Sequence, residues 1–500
     1  MTRSIIKITC FLLATASFLT GCKKDFDEYY REPETANLKL LEVIRTIPEY
    51  SIFVNYLEQL QLDTLFSKNQ SYTLFIPDNA AFESENLSVQ EISRVMTYSF
   101  TQSVILPSQI KDYKKIQAYS GKFSIIERNE DGLLRDGMPV FHNNPLYMDG
   151  TYYSLHSVLK PRPNLYEFLR DTCPVLADYI DEKDSTAFDP VASKPVGFDP
   201  VGNTIYDSVF QLVNTFERDF FPVSVEARSN TATLVVCNKT QYTEALDRMA
   251  LNLGPGYTDH SDIPEEWQKD VLIPYIFENG TFIGALAYDE FKYPLVRNIL
   301  GDSIRLDYLK INEDSRYVCS NGVTFTYNQF DVPSKLYIDT IRFEGEKLTV
   351  AIGSQFTWAE GVSTNNSLMN PVVISSTEAS GGKYLSVPLP RGYSTQYYVE
   401  FFFPKVFPNT YKFLWRANYR PSGLIGVYVN DVRIGLIDNY SFRNLVDGSR
   451  PSVQGFNQKI WSNINVTEYG DLRIRFEYSA AGSGTSNGLN IDYVALFPVN

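Results

Sequence analysis

Tyr72-Thr73-Leu74-Phe75-Ile76-Pro77-Asp78-Asn79-Ala80-Ala81-Phe82 is the stretch on which the reading of this chain turns. Tyr72 to Ile76 is dominated by aromatic and β-branched residues, a composition that favours a short strand. Pro77 lacks a backbone donor and ends that strand, and Asp78 or Asn79 offers a side-chain oxygen to cap a following helix. Upstream, Leu40, Leu41, Val43 and Ile44, then Phe53, Leu57, Leu60 and Leu65, recur at three-to-five spacing and predict amphipathic helix. Downstream, Asp149-Gly150-Thr151-Tyr152-Tyr153-Ser154-Leu155-His156-Ser157-Val158-Leu159-Lys160-Pro161 reads as a turn and a buried strand closed by proline.

These two segments, in this order and at this separation, closely resemble the two signatures of the fasciclin domain. The resemblance covers residues 37–162 and implies an α+β domain associated with adhesion. His156 shares a strand face with Tyr152 and Ser154, and a lone histidine without partners reads as structural. The pattern then begins again. Asn164-Leu165-Tyr166-Glu167-Phe168-Leu169 opens a helix as Asn37 to Leu41 did, Ala232-Thr233-Leu234-Val235-Val236-Cys237 repeats the first strand, and Asn321-Gly322-Val323-Thr324-Phe325 repeats the closing turn and strand. A second, degenerate fasciclin-like domain is predicted over residues 163–334, lacking the proline after its strand. It carries an insertion in which Phe188-Asp189-Pro190-Val191 recurs as Phe198-Asp199-Pro200-Val201. A chance recurrence of helix-strand-helix order is the alternative.

From about Leu336 the helical periodicity stops, and short strands alternate with Gly, Pro, Asn and Ser, which predicts an all-β sandwich over residues 335–500. Several segments resemble carbohydrate-binding modules of families 6 and 35, which have the galactose-binding jelly-roll fold. They are Glu378 to Leu385, Tyr397 to Pro404, Asn409 to Asn418, the hairpin strand Ile425-Gly426-Val427-Tyr428-Val429-Asn430-Asp431, and Leu489 to Leu496. The fold class is therefore multidomain: two α+β fasciclin-like domains followed by an all-β jelly-roll sandwich. Sugar recognition needs an aromatic face for a pyranose and planar polar groups for its hydroxyls. Loop candidates are Trp358, Phe456, Asn457, Trp461 and Asn487; Trp461 is equally compatible with a strand, and Trp415, alternating with Tyr411 and Phe413, reads as core. The resemblance also implies a structural calcium, for which Asp492 is the candidate ligand, although no spacing in the sequence marks a metal site.

The N-terminus addresses compartment. Arg3 and Lys7 precede a mostly apolar run from Ile8 to Leu19, too short for a bilayer span of ~20 residues, and it reads as a leader over residues 1–21. Leu19-Thr20-Gly21-Cys22 resembles a bacterial lipobox with Cys22 as the lipidated residue. Lys23-Lys24-Asp25-Phe26-Asp27-Glu28 resembles the acidic export signal of Bacteroidetes surface lipoproteins, so residues 22–36 form a tether at the outer face of the outer membrane. Cys173, Cys237 and Cys319 cannot all pair and show no zinc spacing, so they read as buried thiols. Lys plus Arg number 45 against 59 Asp plus Glu, a net charge of -14, and no basic run offsets it. That balance argues against nucleic acid as a partner.

Enzymatic chemistry finds little support. Gly484-Thr485-Ser486-Asn487-Gly488 spells the Gly-x-Ser-x-Gly pattern, but a strand follows it where a hydrolase needs a helix, and the last histidine is His260, upstream. The expectation is a non-enzymatic glycan-binding accessory lipoprotein without a cofactor apart from the calcium above. It would pass oligo- or polysaccharide to a TonB-dependent importer and that importer's substrate-binding lipoprotein. An adhesin, or a structural subunit of the importer complex that never touches substrate, is the alternative. Protease added to whole cells should degrade the protein, and Cys22→Ala should release it from the membrane fraction; protection until lysis would refute surface exposure.

Overall fold

The computed structural model describes residues 34–499 except 68–69, 143–145, 227–230, 255, 349–356, 360–361, 365–371, 388–396, 419–423, 438–442, 445–455 and 481–488. Two compact units emerge, one drawn from Met1–Val235 with Gly280–Thr326 and the other from Val236–Asn279 with Tyr327–Asn500. The segment Val236–Asn279 of the predicted 163–334 domain thus groups with the sandwich, while the helices Leu165–Thr172 and Pro174–Asp181 stay in the first unit. Among the described residues, no helix is long and apolar enough to cross a membrane.

In the first unit, the strand Tyr72–Pro77 lies between antiparallel Phe100–Thr101 and parallel Gly150–Leu155, in register from Tyr72 opposite Gly150 to Pro77 opposite Leu155. Alternation splits its side chains between two cores. Tyr72, Leu74 and Ile76 pack with Leu40, Leu41, Ile44, Phe53 and Leu57 from the amphipathic helices. Phe75 faces the other way, with Tyr98, Ile116, Ile126 and Tyr153, beneath a four-stranded meander running from Tyr113 to Val140. Both faces are covered, which is why the strand is buried along its whole length. Asp78, not Asn79, caps the next helix by accepting from the Ala81 amide at 2.8 Å. Asn79 instead accepts from the Ile52 amide and donates to the Pro48 carbonyl, tying the helix Ser51–Gln59 to the strand's end.

The same arrangement recurs around Ala232–Val236, which lies between antiparallel Thr281–Ile283 and Gly322–Thr326. Asp149 accepts from the Leu40 amide at 2.7 Å, and Asn321 accepts from the Leu165 amide at 2.8 Å. A Cβ on Gly150 would sit 1.9 Å from the Tyr72 carbonyl oxygen, and one on Gly322 would sit 2.5 Å from that of Ala232. Thr73 donates to the Ser103 carbonyl and accepts from the Ile105 amide; Thr233 does the same with Gly284 and Leu286. Asn238 caps the helix Lys239–Leu253 where Asp78 capped its own. The insertion is a two-stranded ribbon: Asp184–Phe188 pairs with Phe210–Asn214, and Lys194–Phe198 with Thr204–Asp207. Its two Phe-Asp-Pro-Val copies use one turn device. Asp189 accepts from the Val191 and Ala192 amides, and Asp199 from those of Val201 and Asn203.

The second unit holds the predicted sandwich. A five-stranded sheet runs in the order Ile341–Glu344, Tyr493–Pro498, Asn409–Asn418, Phe456–Val466 and Arg443–Asn444. A six-stranded sheet runs Thr357–Ala359, Val362–Thr364, Tyr397–Val406, Gly470–Ala480, Leu424–Val429 and Val432–Ile437. Phe413, Trp415, Val427, Ile474, Phe476 and Leu496 share their core. Asn430 and Asp431, both at positive φ, close the hairpin between Leu424–Val429 and Val432–Ile437, a turn whose twist matches the strands. The segment Val236–Asn279 locks onto this sandwich through aromatics. Trp267 meets Phe407 edge-on at 5.2 Å, and the Tyr257 hydroxyl donates to the Pro408 carbonyl at 2.9 Å. Trp415 is fully buried, and its indole N–H donates to the Asn490 carbonyl at 3.0 Å. Trp415→Ala should therefore lower sandwich stability by about 3–5 kcal/mol in denaturant titration.

Candidate functional site

The six-stranded sheet sends one set of alternating residues to the core and the other outward. In Gly470–Ala480, Leu472, Ile474 and Phe476 point inward, which leaves Arg473, Arg475 and Glu477 on the outer face. In Leu424–Val429, Ile425, Val427 and Val429 are core, so Gly426 and Tyr428 lie on the outer face. Strand register sets Tyr428 opposite Arg475 and Tyr398 opposite Glu477. The Arg475 guanidinium sits 4.8 Å from the Tyr428 ring centroid and 5.7 Å from that of Tyr398. Asp431, in the hairpin turn, pairs with Arg473 and lies 3.2 Å from Arg475. The Tyr428 ring leans over Gly426, where an added Cβ would come within 2.8 Å of it. The result is a partly open strip of two tyrosine rings around a held guanidinium, with carboxylates beside it. Aromatic faces and planar polar groups of this kind suit a sugar ring and its hydroxyls.

The loop candidates fare differently. Phe456 and Asn457 are not in a loop: they open the strand Phe456–Val466 and are buried. The Arg416 guanidinium covers the Phe456 ring at 4.5 Å, and Tyr384 meets it edge-on. Trp461 is likewise a strand residue, stacked on Phe413 at 5.4 Å within the sandwich core. These three placements correct the expectation of an exposed aromatic loop. Trp358 falls in the strand Thr357–Ala359, with its side chain outside the described part, and Asn487 and Cys22 lie outside the described residues. The outward strip was readable in principle, because charged residues alternate with apolar ones from Leu472 to Glu477.

Asp492 takes a different partner from the one expected. It is fully buried, one oxygen accepting from the Ser380 amide at 2.9 Å and the other pairing with the Arg416 guanidinium. Glu344 Oε2, on the same patch, is buried without a hydrogen-bond partner and is a feature a cation would satisfy. Both Asp492 oxygens are nevertheless engaged, so the residues do not fit the expected calcium role for Asp492. Among the described residues, the carboxylate and imidazole atoms close enough to share one ion belong to Asp247, Asp259 and His260.

His156, exposed, holds Asp78 Oδ2 through Nδ1 at 2.7 Å and so supports the helix cap. Cys173, Cys237 and Cys319 are buried free thiols. A cavity of about 640 Å³ in the first unit is lined in part by Lys114, Lys115, Ser320 and Cys319. Burial pushes the Cys319 thiol up to about 12, which removes its nucleophilic form at neutral pH.

Residues 48–161 match the Fasciclin domain. That stretch is a fasciclin domain. Its bounds fall within the predicted 37–162. The comparison with curated proteins finds no match. Among solved structures, a Paenibacillus xanthan lyase is 21% identical with a TM-score of 0.24, over 38% of this chain and 16% of that one. A family 35 carbohydrate-binding module from Clostridium thermocellum is 14% identical with a TM-score of 0.19, over 32% of this chain and 99% of the module. A module, CsCBM6-3 from Clostridium stercorarium, solved with cellobiose, is 12% identical with a TM-score of 0.20, over 32% and 94% of the two chains. The chain thus spans about a sixth of the lyase.

Burial raises the Asp492 carboxyl to about 6 against the pull of Arg416. The folded state then holds this proton more tightly than the unfolded chain does, so the stability it contributes is complete below about pH 4 and is lost as pH rises through about 6. Melting temperatures from pH 4 to 7 should show this fall in the parent chain and a flatter profile in Asp492→Asn.

Proposed function

We propose that this chain is a non-enzymatic glycan-binding lipoprotein of the cell surface, anchored by lipid on Cys22 at the outer membrane. It acts as an accessory subunit of a TonB-dependent polysaccharide-uptake system, capturing oligo- or polysaccharide beside the importer and its substrate-binding lipoprotein. The fasciclin domain and the segment that repeats its arrangement, a second fasciclin-like domain in this reading, lie between the anchor and the sandwich in the sequence. One observation carries the reading: the outward strip of Tyr398, Tyr428 and Arg475, with Glu477 and Asp431 at its margins. Two rings offer stacking surface, and the guanidinium and carboxylates offer the donors and acceptors that distinguish one hydroxyl pattern from another. A second reading, a structural subunit that contacts protein alone, is favoured by the apolar ribbon of residues 184–214.

A shallow strip of this size supports micromolar to millimolar binding, roughly 4–8 kcal/mol. The full chain should be retarded in native gels containing at least one polysaccharide of a surveyed panel. Tyr428→Ala and Tyr398→Ala should each weaken that retardation about tenfold, with melting temperature nearly unchanged because neither ring is core. Undiminished binding by the double variant would remove the strip as the site, and no retardation by any glycan would favour the structural reading.

A further inference from the structure

The ribbon formed by Asp184–Phe188, Lys194–Phe198, Thr204–Asp207 and Phe210–Asn214 breaks the usual rule for exposed strands. Val191 is 94% exposed, Phe198 74% and Leu212 72%, and Val196, Val201 and Phe210 are similarly open. These apolar side chains alternate between the two faces of the ribbon, so both faces are open to solvent. A two-stranded ribbon is also only marginally stable in water and leaves both strand edges unpaired.

The two edges are not equivalent. The outgoing edge carries Pro190 and Pro195, which have no N–H to give, and Pro200 follows at the tip. The returning edge, residues 204–214, has no proline, and among the described residues no further strand pairs with it. Its last strand, Phe210-Gln211-Leu212-Val213-Asn214, carries no charge in a chain whose net charge is -14. Net charge of one sign makes two copies repel, and this strand adds nothing to that repulsion. Across the whole ribbon, Asp184, Asp189, Asp199 and Asp207 face a single cation, Lys194, a balance that disfavours anionic lipid.

We propose that the returning edge of this ribbon is a self-association site, in which Phe210–Asn214 pairs antiparallel with the same strand of a second copy. A two-fold axis through Leu212 sets Leu212 against its own copy, Phe210 against Asn214 and Gln211 against Val213, so no charged groups are opposed. The dimer joins the two-stranded ribbons of two molecules into one four-stranded sheet, satisfies the outward N–H and C=O groups of Phe210–Asn214, and sets Leu212 and Phe210 beside cross-strand neighbours.

Sedimentation velocity on the chain lacking residues 1–22 should show a concentration-dependent monomer–dimer equilibrium between roughly 1 and 100 µM. Leu212→Lys, which opposes two cations at the axis, should weaken it at least tenfold while circular dichroism and melting temperature stay as in the parent. Leu212→Cys should give a disulfide-linked dimer on a non-reducing gel, and Val196→Cys, on the outgoing edge, should not; the native thiols are buried and do not interfere. A parent chain that stays monomeric throughout, a dimer indifferent to Leu212→Lys, or equal cross-linking by the two cysteine variants would overturn the proposal. So would a monomeric chain that binds phosphatidylethanolamine–phosphatidylglycerol vesicles and loses that binding in Leu212→Lys, since the ribbon would then be a membrane contact.

Discussion

The closest approach in the first unit is made by glycine. Gly150 stands against the Tyr72 carbonyl oxygen and Gly322 against that of Ala232, at distances that no Cβ could occupy. In each case the glycine starts the strand that pairs beside the central one, and the residue before it, Asp149 or Asn321, holds a helix amide from earlier in the chain. A single turn therefore fixes three things at once: the register of the closing strand, the position of the first helix, and the boundary of the apolar layer between them. Thr73 and Thr233 repeat the economy on the opposite side of each central strand, where one hydroxyl donates to a carbonyl and accepts from an amide two residues further on.

Much of this was legible because it is local. The strand Tyr72–Pro77 and the Asp149-Gly150 turn announce themselves through composition over a few residues, the cap is narrowed to Asp78 or Asn79, and Asn321-Gly322 repeats the turn in the same order along the chain. The sandwich strands were legible for the same reason, as was the burial of Trp415, which recurs with Tyr411 and Phe413 at every second position on one face of a strand.

The site was harder to read, for physical reasons. Asn463 adopts a positive φ, and the pairing of Asn409–Asn418 with Phe456–Val466 shifts register between Tyr411 and Phe413. That irregularity breaks the parity by which Trp461 would have been assigned to the core. Phe456 and Asn457 follow a polar run and look like loop, yet Arg416, from another strand, covers Phe456 and pairs with Asp492. A partner so far away in sequence leaves no local trace, which is why Asp492 looked available to a cation. The outward strip had the opposite problem: its alternation was plain, but its rings are tyrosines on a sheet face, where loop composition gives no sign of them.

The lock between Trp267 and Phe407 bears on how such a chain can be built by evolution. Because Val236–Asn279 belongs with the sandwich while the residues on either side of it belong with the first unit, the backbone passes between the two units three times. A sandwich attached by one linker can be acquired, lost or exchanged by a single recombination. Here any cut near residue 335 leaves an indole and its neighbouring tyrosine facing water on one fragment and a bare phenylalanine on the other. No single cut in the backbone therefore separates one unit whole from the other.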